Sequence, residues 1–155
     1  MRKNAIFRRF KMRKNAIKAA KAYLEIYSYP RVRLIKELEQ DGFSTKDATY
    51  AADHCDADWY KQAVRHAKTI LEMYNFSYYG LVEQLKHAGF TPDEAIYAAN
   101  HCEANWDEQA LKVAKSYLSL PDFDPNRLAR QLAFEGFTLE EIERCLQSGL
   151  CEKCN

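Results

Sequence analysis

The sequence predicts an all-α protein built from three tandem units of 47 residues, each of three helices with a helix-turn-helix-like corner. Three observations carry this. Phe43, Phe90 and Phe137 recur at intervals of 47, each directly after a glycine (Gly42, Gly89, Gly136). The same interval separates Ala20, Ala67 and Ala114; Leu24, Leu71 and Leu118; Leu34, Leu81 and Leu128; and Leu38, Leu85 and Leu132, and residues 16–62 match 63–109 at 19 of 47 positions. Chance does not produce such a period. Gly and Pro are scarce (5 and 4), and the apolar residues of each unit follow helical spacing, so helices are favoured over a turn-rich β fold.

Taken along the chain, a basic arm covers residues 1–14, repeats cover 15–61 and 62–108, a partial repeat covers 109–148, and a cysteine-containing tail covers 149–155. Met-Arg-Lys-Asn-Ala-Ile occurs at 1–6 and again at 12–17, where it runs into the first repeat. The first helix of a unit is long. One copy is expected from Asp58 to about Tyr74, and the next starts at Asn105, with Trp106 following and Glu108 placed to close a capping box. The second helix is shorter, Tyr78 to Ala88 in the middle copy, with Leu81, Val82 and Leu85 inward and Ser77 or Asp124 as caps; Pro125 suits a first helical turn.

The corner follows. Gly89 is placed to take the left-handed conformation that ends a helix, and Phe90 turns inward. Thr91, Pro92 and Glu94 start the third helix, as do Ser44 with Asp47 and Thr138 with Glu141. That helix carries Ala48, Tyr50, Ala51 and Ala52, or Ala95, Tyr97, Ala98 and Ala99, small residues that admit a close neighbour. The last copy departs, with Arg144 for the tyrosine and Gly149 for the cysteine, as terminal repeats commonly do.

Hydrophobic content of 47% and charged content of 29% fit a folded chain and exclude disorder throughout. The net charge of +1 conceals an asymmetry: residues 1–21 hold nine Lys or Arg and no acid, and the rest holds 14 basic against 22 acidic groups. No stretch approaches the roughly 18 apolar residues of a membrane span. The basic start is followed by no apolar run, and five cysteines suit reduced thiols, so the expected location is cytoplasmic.

The run Gly-Phe-Thr-Pro-Asp-Glu-Ala-Ile-Tyr-Ala-Ala-Asn-His at 89–101, Asn-Trp-Asp-Glu-Gln-Ala at 105–110 and Gln-Leu-Ala-Phe-Glu-Gly-Phe-Thr at 131–138 resemble the repeat of the Ltp family of host cell surface-exposed lipoproteins. The resemblance covers roughly residues 15–146. It implies a compact helical repeat, and a role in superinfection exclusion, in which a surface lipoprotein blocks DNA injection by an incoming phage; the target proposed for such members is the phage tape-measure protein. It also implies a cell-surface location, the alternative to the cytoplasmic one. The first cysteine here is Cys55, inside a repeat, and not a lipid-modified residue near the start.

The function expected is therefore a non-enzymatic module that binds a protein, a phage protein being the candidate partner. No Gly-rich phosphate loop, nucleophile elbow or catalytic histidine spacing occurs, and no cofactor is implied. Tyr78 and Tyr79 have no aromatic counterparts in the other copies, and with Tyr60 they are the candidate partner surface, because aromatics dominate interface hot spots. The alternative is a nucleic-acid-associated protein using the basic arm (Arg8, Arg9, Lys11, Arg13, Lys14) and the corners; the acidic residues of 45–56 and 92–103 oppose it. Ile6, Phe10 and Ile17 give the arm an apolar face that also suits an anionic membrane, although a solvated extension of the first helix is the plainer reading. His54, Cys55, His101, Cys102, Cys151 and Cys154 are weak zinc candidates; the His-Cys pairs recur because the repeat recurs, and no metal is assigned.

Overall fold

The computed structural model describes residues 2–148, with side chains from residue 9 onward, and among the described residues it holds nine α-helices and no strand. They fall into three units of three: α1 (Arg2–Ile26), α2 (Arg31–Gln40) and α3 (Thr45–His54); α4 (Trp59–Met73), α5 (Tyr78–Ala88) and α6 (Pro92–His101); α7 (Trp106–Leu118), α8 (Leu128–Phe134) and α9 (Leu139–Gln147). The recurring leucines explain the period. Leu34, Leu81 and Leu128, and Leu38, Leu85 and Leu132, are the largest side chains removed wholly or almost wholly from water. Each unit closes its own core around such a pair. In the middle unit Ala63, Ala67, Phe90, Ala95, Ala98 and Cys102 surround it. The alanines of α6 and α3 do what their size allows: these helices pack closely against α4 and α1.

Helix starts follow the cap residues. Ser44, Asp58, Thr91, Asn105 and Thr138 each accept a hydrogen bond from the backbone N–H three residues on. Thr91 with Glu94 and Thr138 with Glu141 form complete capping boxes. The expected box at Asn105 is only half made, because the Glu108 carboxylate turns down the helix to Lys112 at 2.8 Å. At Ser44 the shorter Asp47 side chain accepts from the Ser44 hydroxyl at 2.8 Å. Pro125 occupies a 3-10 turn, Pro125–Arg127, ahead of α8.

The glycine corners are three copies of one geometry. Gly42, Gly89 and Gly136 have φ of 90, 107 and 88°, and Phe43, Phe90 and Phe137 N–H each donate 3.1 Å to the carbonyl of Leu38, Leu85 and Leu132. This closing bond satisfies a carbonyl that the ending helix leaves orphaned, and it points the phenylalanine at the core. The ends of α3 and α6 bring a feature the sequence did not suggest. Asp56 and Glu103 are left-handed non-glycines, with φ of 58 and 62°. Each is held by a lysine from the unit's first helix, Lys21 at 2.6 Å and Lys68 at 2.9 Å.

All substantial helix packing lies inside a unit, and the units meet along thin seams. The helices begin at the caps Asp58 and Asn105, a few residues ahead of the divisions at 61/62 and 108/109 that the interval alone supplied. Trp59 and Trp106 open α4 and α7 but pack against the core of the preceding unit. The glycine corner of one unit also abuts the start of the second helix of the unit before: a Cβ on Gly89 would come within 2.6 Å of Val32, and one on Gly136 within 3.0 Å of the Ser77 hydroxyl. Ser77 Oγ donates to the Glu135 carbonyl at 2.6 Å, and Arg65 Nη1 donates to the Leu24 carbonyl at 2.9 Å. Among the described residues nothing lies within 4 Å of a Cβ built on Gly42.

Candidate protein-binding surface

One pair of positions, in the first and third helices of each unit, is filled by three different chemistries. In unit one the Arg13 guanidinium lies 4.0 Å over the Tyr50 ring. In unit two Tyr60 meets Tyr97 edge to face at 5.0 Å. In unit three Arg144 Nε donates to Asp107 at 2.9 Å. Tyr60 thus already has a packing partner. Tyr78 sits half-buried, edge-on to Trp106 at 5.6 Å across the seam and to Tyr79 at 5.4 Å. Tyr79 is 61% exposed.

The repeated histidines and cysteines diverge. His54 and His101 stack on Tyr50 and Tyr97 at 3.8 and 3.9 Å and are exposed, each with Nδ1 2.7 Å from the carbonyl of that tyrosine. Cys55 and Cys102 are buried in the cores of two different units, where burial pushes both thiols up from their ordinary pKa. Cys145 is buried in the third core. Among the described residues no three His, Cys, Asp or Glu side chains converge as a metal site would require. Cys151, Cys154 and the side chain of Arg8 lie outside what the structure describes.

The basic arm is the first half of α1, continuous with the helix that packs on α3. Arg9, Lys11 and Lys14 are exposed; Arg13 is half-buried, 3.4 Å from Asp47. The second helices of the corners, α3 and α6, carry Asp47 and Asp93 with Glu94 in their first turns. No described helix is long and apolar enough to cross a membrane.

A further surface escaped the sequence reading. At the end of each unit's first helix, or two residues past it in unit three, large apolar side chains stand in water at the same repeat positions: Ile26 (71% exposed), Met73 (65%) and Leu120 (53%), with Tyr27 and Tyr74 next to the first two. Clefts adjoin this edge in units one and three. The first, about 380 Å³, is lined by Ala19, Ala22, Tyr23, Ile26, Tyr27 and Asp41. The other, about 250 Å³, includes Tyr117, Leu120 and Phe123. Each contains a tyrosine whose hydroxyl donates to a carboxylate across the unit, Tyr23 to Asp41 and Tyr117 to Glu135, and this bond holds both phenols above their ordinary pKa. The wheel carries the missed signal: Ile26 lies two residues beyond buried Leu24, about 200° around the helix, and so faces away from the core.

The sequence profile of a family described as host cell surface-exposed lipoprotein matches three times, over residues 11–55, 58–102 and 105–143, one match to each three-helix unit. That description fits the cell-surface alternative and gives the cytoplasmic expectation no support. No curated protein and no solved structure matches the chain.

Proposed function

Because this chain belongs to the host cell surface-exposed lipoprotein (Ltp) family, we propose that it is a non-enzymatic module that binds a protein at the cell surface and acts in superinfection exclusion, by holding a phage protein required for DNA entry. One observation carries the binding half of this reading. Ile26, Met73 and Leu120 recur at equal spacing yet take no part in any of the three cores. Exposure of a large apolar side chain at one repeat position in all three units, with an exposed tyrosine beside two of them, supports a partner that covers them. Tyr27 and Tyr74 beside them supply the amphipathic rings that interface hot spots favour.

The test displays the chain on a phage-sensitive host and measures adsorption, DNA entry and plating for a phage panel. The expected result is normal adsorption with blocked entry for at least one phage. A triple variant, Ile26→Ser, Met73→Ser and Leu120→Ser, should keep the melting temperature and lose protection and capture of the phage protein. Protection that survives the triple variant removes the apolar edge from the argument; a chain that protects against no phage overturns the exclusion role. The nucleic-acid alternative asks for basic recognition helices, and α3 and α6 begin with carboxylates. Duplex DNA in the same capture assay separates the two readings.

A further inference from the structure

The first half of α1 differs from the rest of the molecule in how its charges are placed. From Lys21 onward most basic side chains meet a carboxylate, as Lys21, Arg31, Arg33, Lys68 and Arg144 do. Among the described residues Arg9, Lys11, Lys14 and Lys18 make no ion pair and no side-chain hydrogen bond, and all four are exposed. The first acidic residue of the chain is Glu25, so the helix itself offers them no counter-charge.

These cations frame apolar surface. Phe10 is 69% exposed, and Lys14 and Ile17 follow it at the spacing of one helical face. Arg13, one position over on the wheel, is held by Tyr50 at 4.0 Å and Asp47 at 3.4 Å, near the start of α3. The helix therefore runs on past α3, its backbone ahead of Arg9 extending roughly 10 Å beyond it. Where it leaves the body, a cleft of about 420 Å³ opens, lined by Arg9, Phe10, Arg13, Lys14, Ile17 and Tyr50, with no carboxylate in its wall.

We propose that this half-helix is a docking site for a bilayer surface carrying anionic lipid. Arg9, Lys11, Lys14 and Lys18 contact headgroup phosphates, Phe10 enters the headgroup–acyl boundary, and the cleft between Phe10, Ile17 and Tyr50 accommodates the apolar stem below a bound headgroup. Charge complementarity selects the anionic surface, and the apolar residues select lipid over a purely polar polyanion. The site is independent of the apolar edge at the ends of α1, α4 and α7.

The test is co-sedimentation of the full chain with vesicles of phosphatidylcholine alone or mixed with phosphatidylglycerol. Binding is expected only to the mixed vesicles and should fall steeply with salt. Each charge removed should weaken it about fivefold, so Arg9→Gln with Lys14→Gln costs about 25-fold. Phe10→Ser should cost roughly tenfold, and because Phe10 is mostly in water the variant keeps the parent's melting temperature. Lys36→Gln, exposed on α2, should change binding less than twofold. Equal sedimentation with both vesicle types overturns the proposal. So does a Phe10→Ser variant that binds vesicles like the parent, or a DNA duplex that binds more tightly than the mixed vesicles.

Discussion

Replacing each corner glycine by alanine separates what the corner needs for itself from what the seam needs. All three glycines are left-handed, with φ of 88 to 107°. An L residue there costs about 1–2 kcal/mol, and the stiffer unfolded chain of alanine returns about 0.4–1 kcal/mol. Gly42→Ala meets nothing within 4 Å of its new Cβ, so this backbone cost, net about 1 kcal/mol, is its whole effect. Gly89→Ala carries the same cost and adds a methyl 2.6 Å from Val32 Cγ2 and 3.5 Å from Pro30 Cγ. Relieving that overlap moves α2 or the corner by most of an ångström and costs about 1–2 kcal/mol more. The melting temperature should fall by roughly 3 °C for Gly42→Ala and 6–9 °C for Gly89→Ala. Val32→Ala, at a half-exposed position, removes the colliding methyl and should restore about 1 kcal/mol in the Gly89→Ala background while costing under 1 kcal/mol alone. Calorimetry on the four variants and the parent decides it. Equal losses at Gly42 and Gly89, or no recovery with Val32→Ala, would refute the seam.

Three other outcomes follow from the same geometry. Trp59→Ala and Trp106→Ala should each cost about 2–3 kcal/mol, less than a fully buried tryptophan because both are half-buried, and the double variant should be additive since they lie in different seams; thermal unfolding checks this. Arg144→Ala should lower the unfolding midpoint only slightly and lose that effect in high salt, whereas Tyr60→Ala should cost about 1 kcal/mol at any salt; denaturation at two ionic strengths tells the ion pair from the aromatic pair. Burial beside Phe90 holds His66 below its ordinary pKa of 6.5, against the opposing effect of Ser28 at 3.1 Å. The unfolded chain then binds the proton more readily, so stability is complete above about pH 6.5 and falls as pH drops below it. His66→Gln should flatten the dependence of the unfolding midpoint on pH below about 6.5, and an unchanged slope would show that His66 does not carry it.

The elements were legible because their causes are local. A serine or threonine ahead of a helix, an acidic residue one turn inside and a glycine closing the helix before it act within a few residues, and each was written three times. The half-formed box at Asn105 was not legible, because the choice of Glu108 between the cap and Lys112 is made by two competing partners of similar strength. The seams were hidden for a different reason. That Gly89 meets Val32, or that Trp106 serves the unit before its own, depends on how rigid units lean together, and no short-range pattern encodes it. The apolar edge was missed because recurrence was read as burial; Ile26, Met73 and Leu120 keep the interval of the leucines, with changing identity, and stand in water. Tyr60 illustrates the converse, an apparent departure between copies that fills the same pair of positions as Arg13 and Asp107.

The seams bear on how such a chain changes over generations. Everything one unit needs to receive the next is spelled inside a single period: the tryptophan that reaches back, the glycine corner that leans back, and the start of the second helix that receives it. Copying or deleting one whole period in the gene rejoins matching ends, with no compensating change elsewhere. The length of the array, and with it the number of outward apolar positions, can be altered in a single recombination event without asking any existing core to repack.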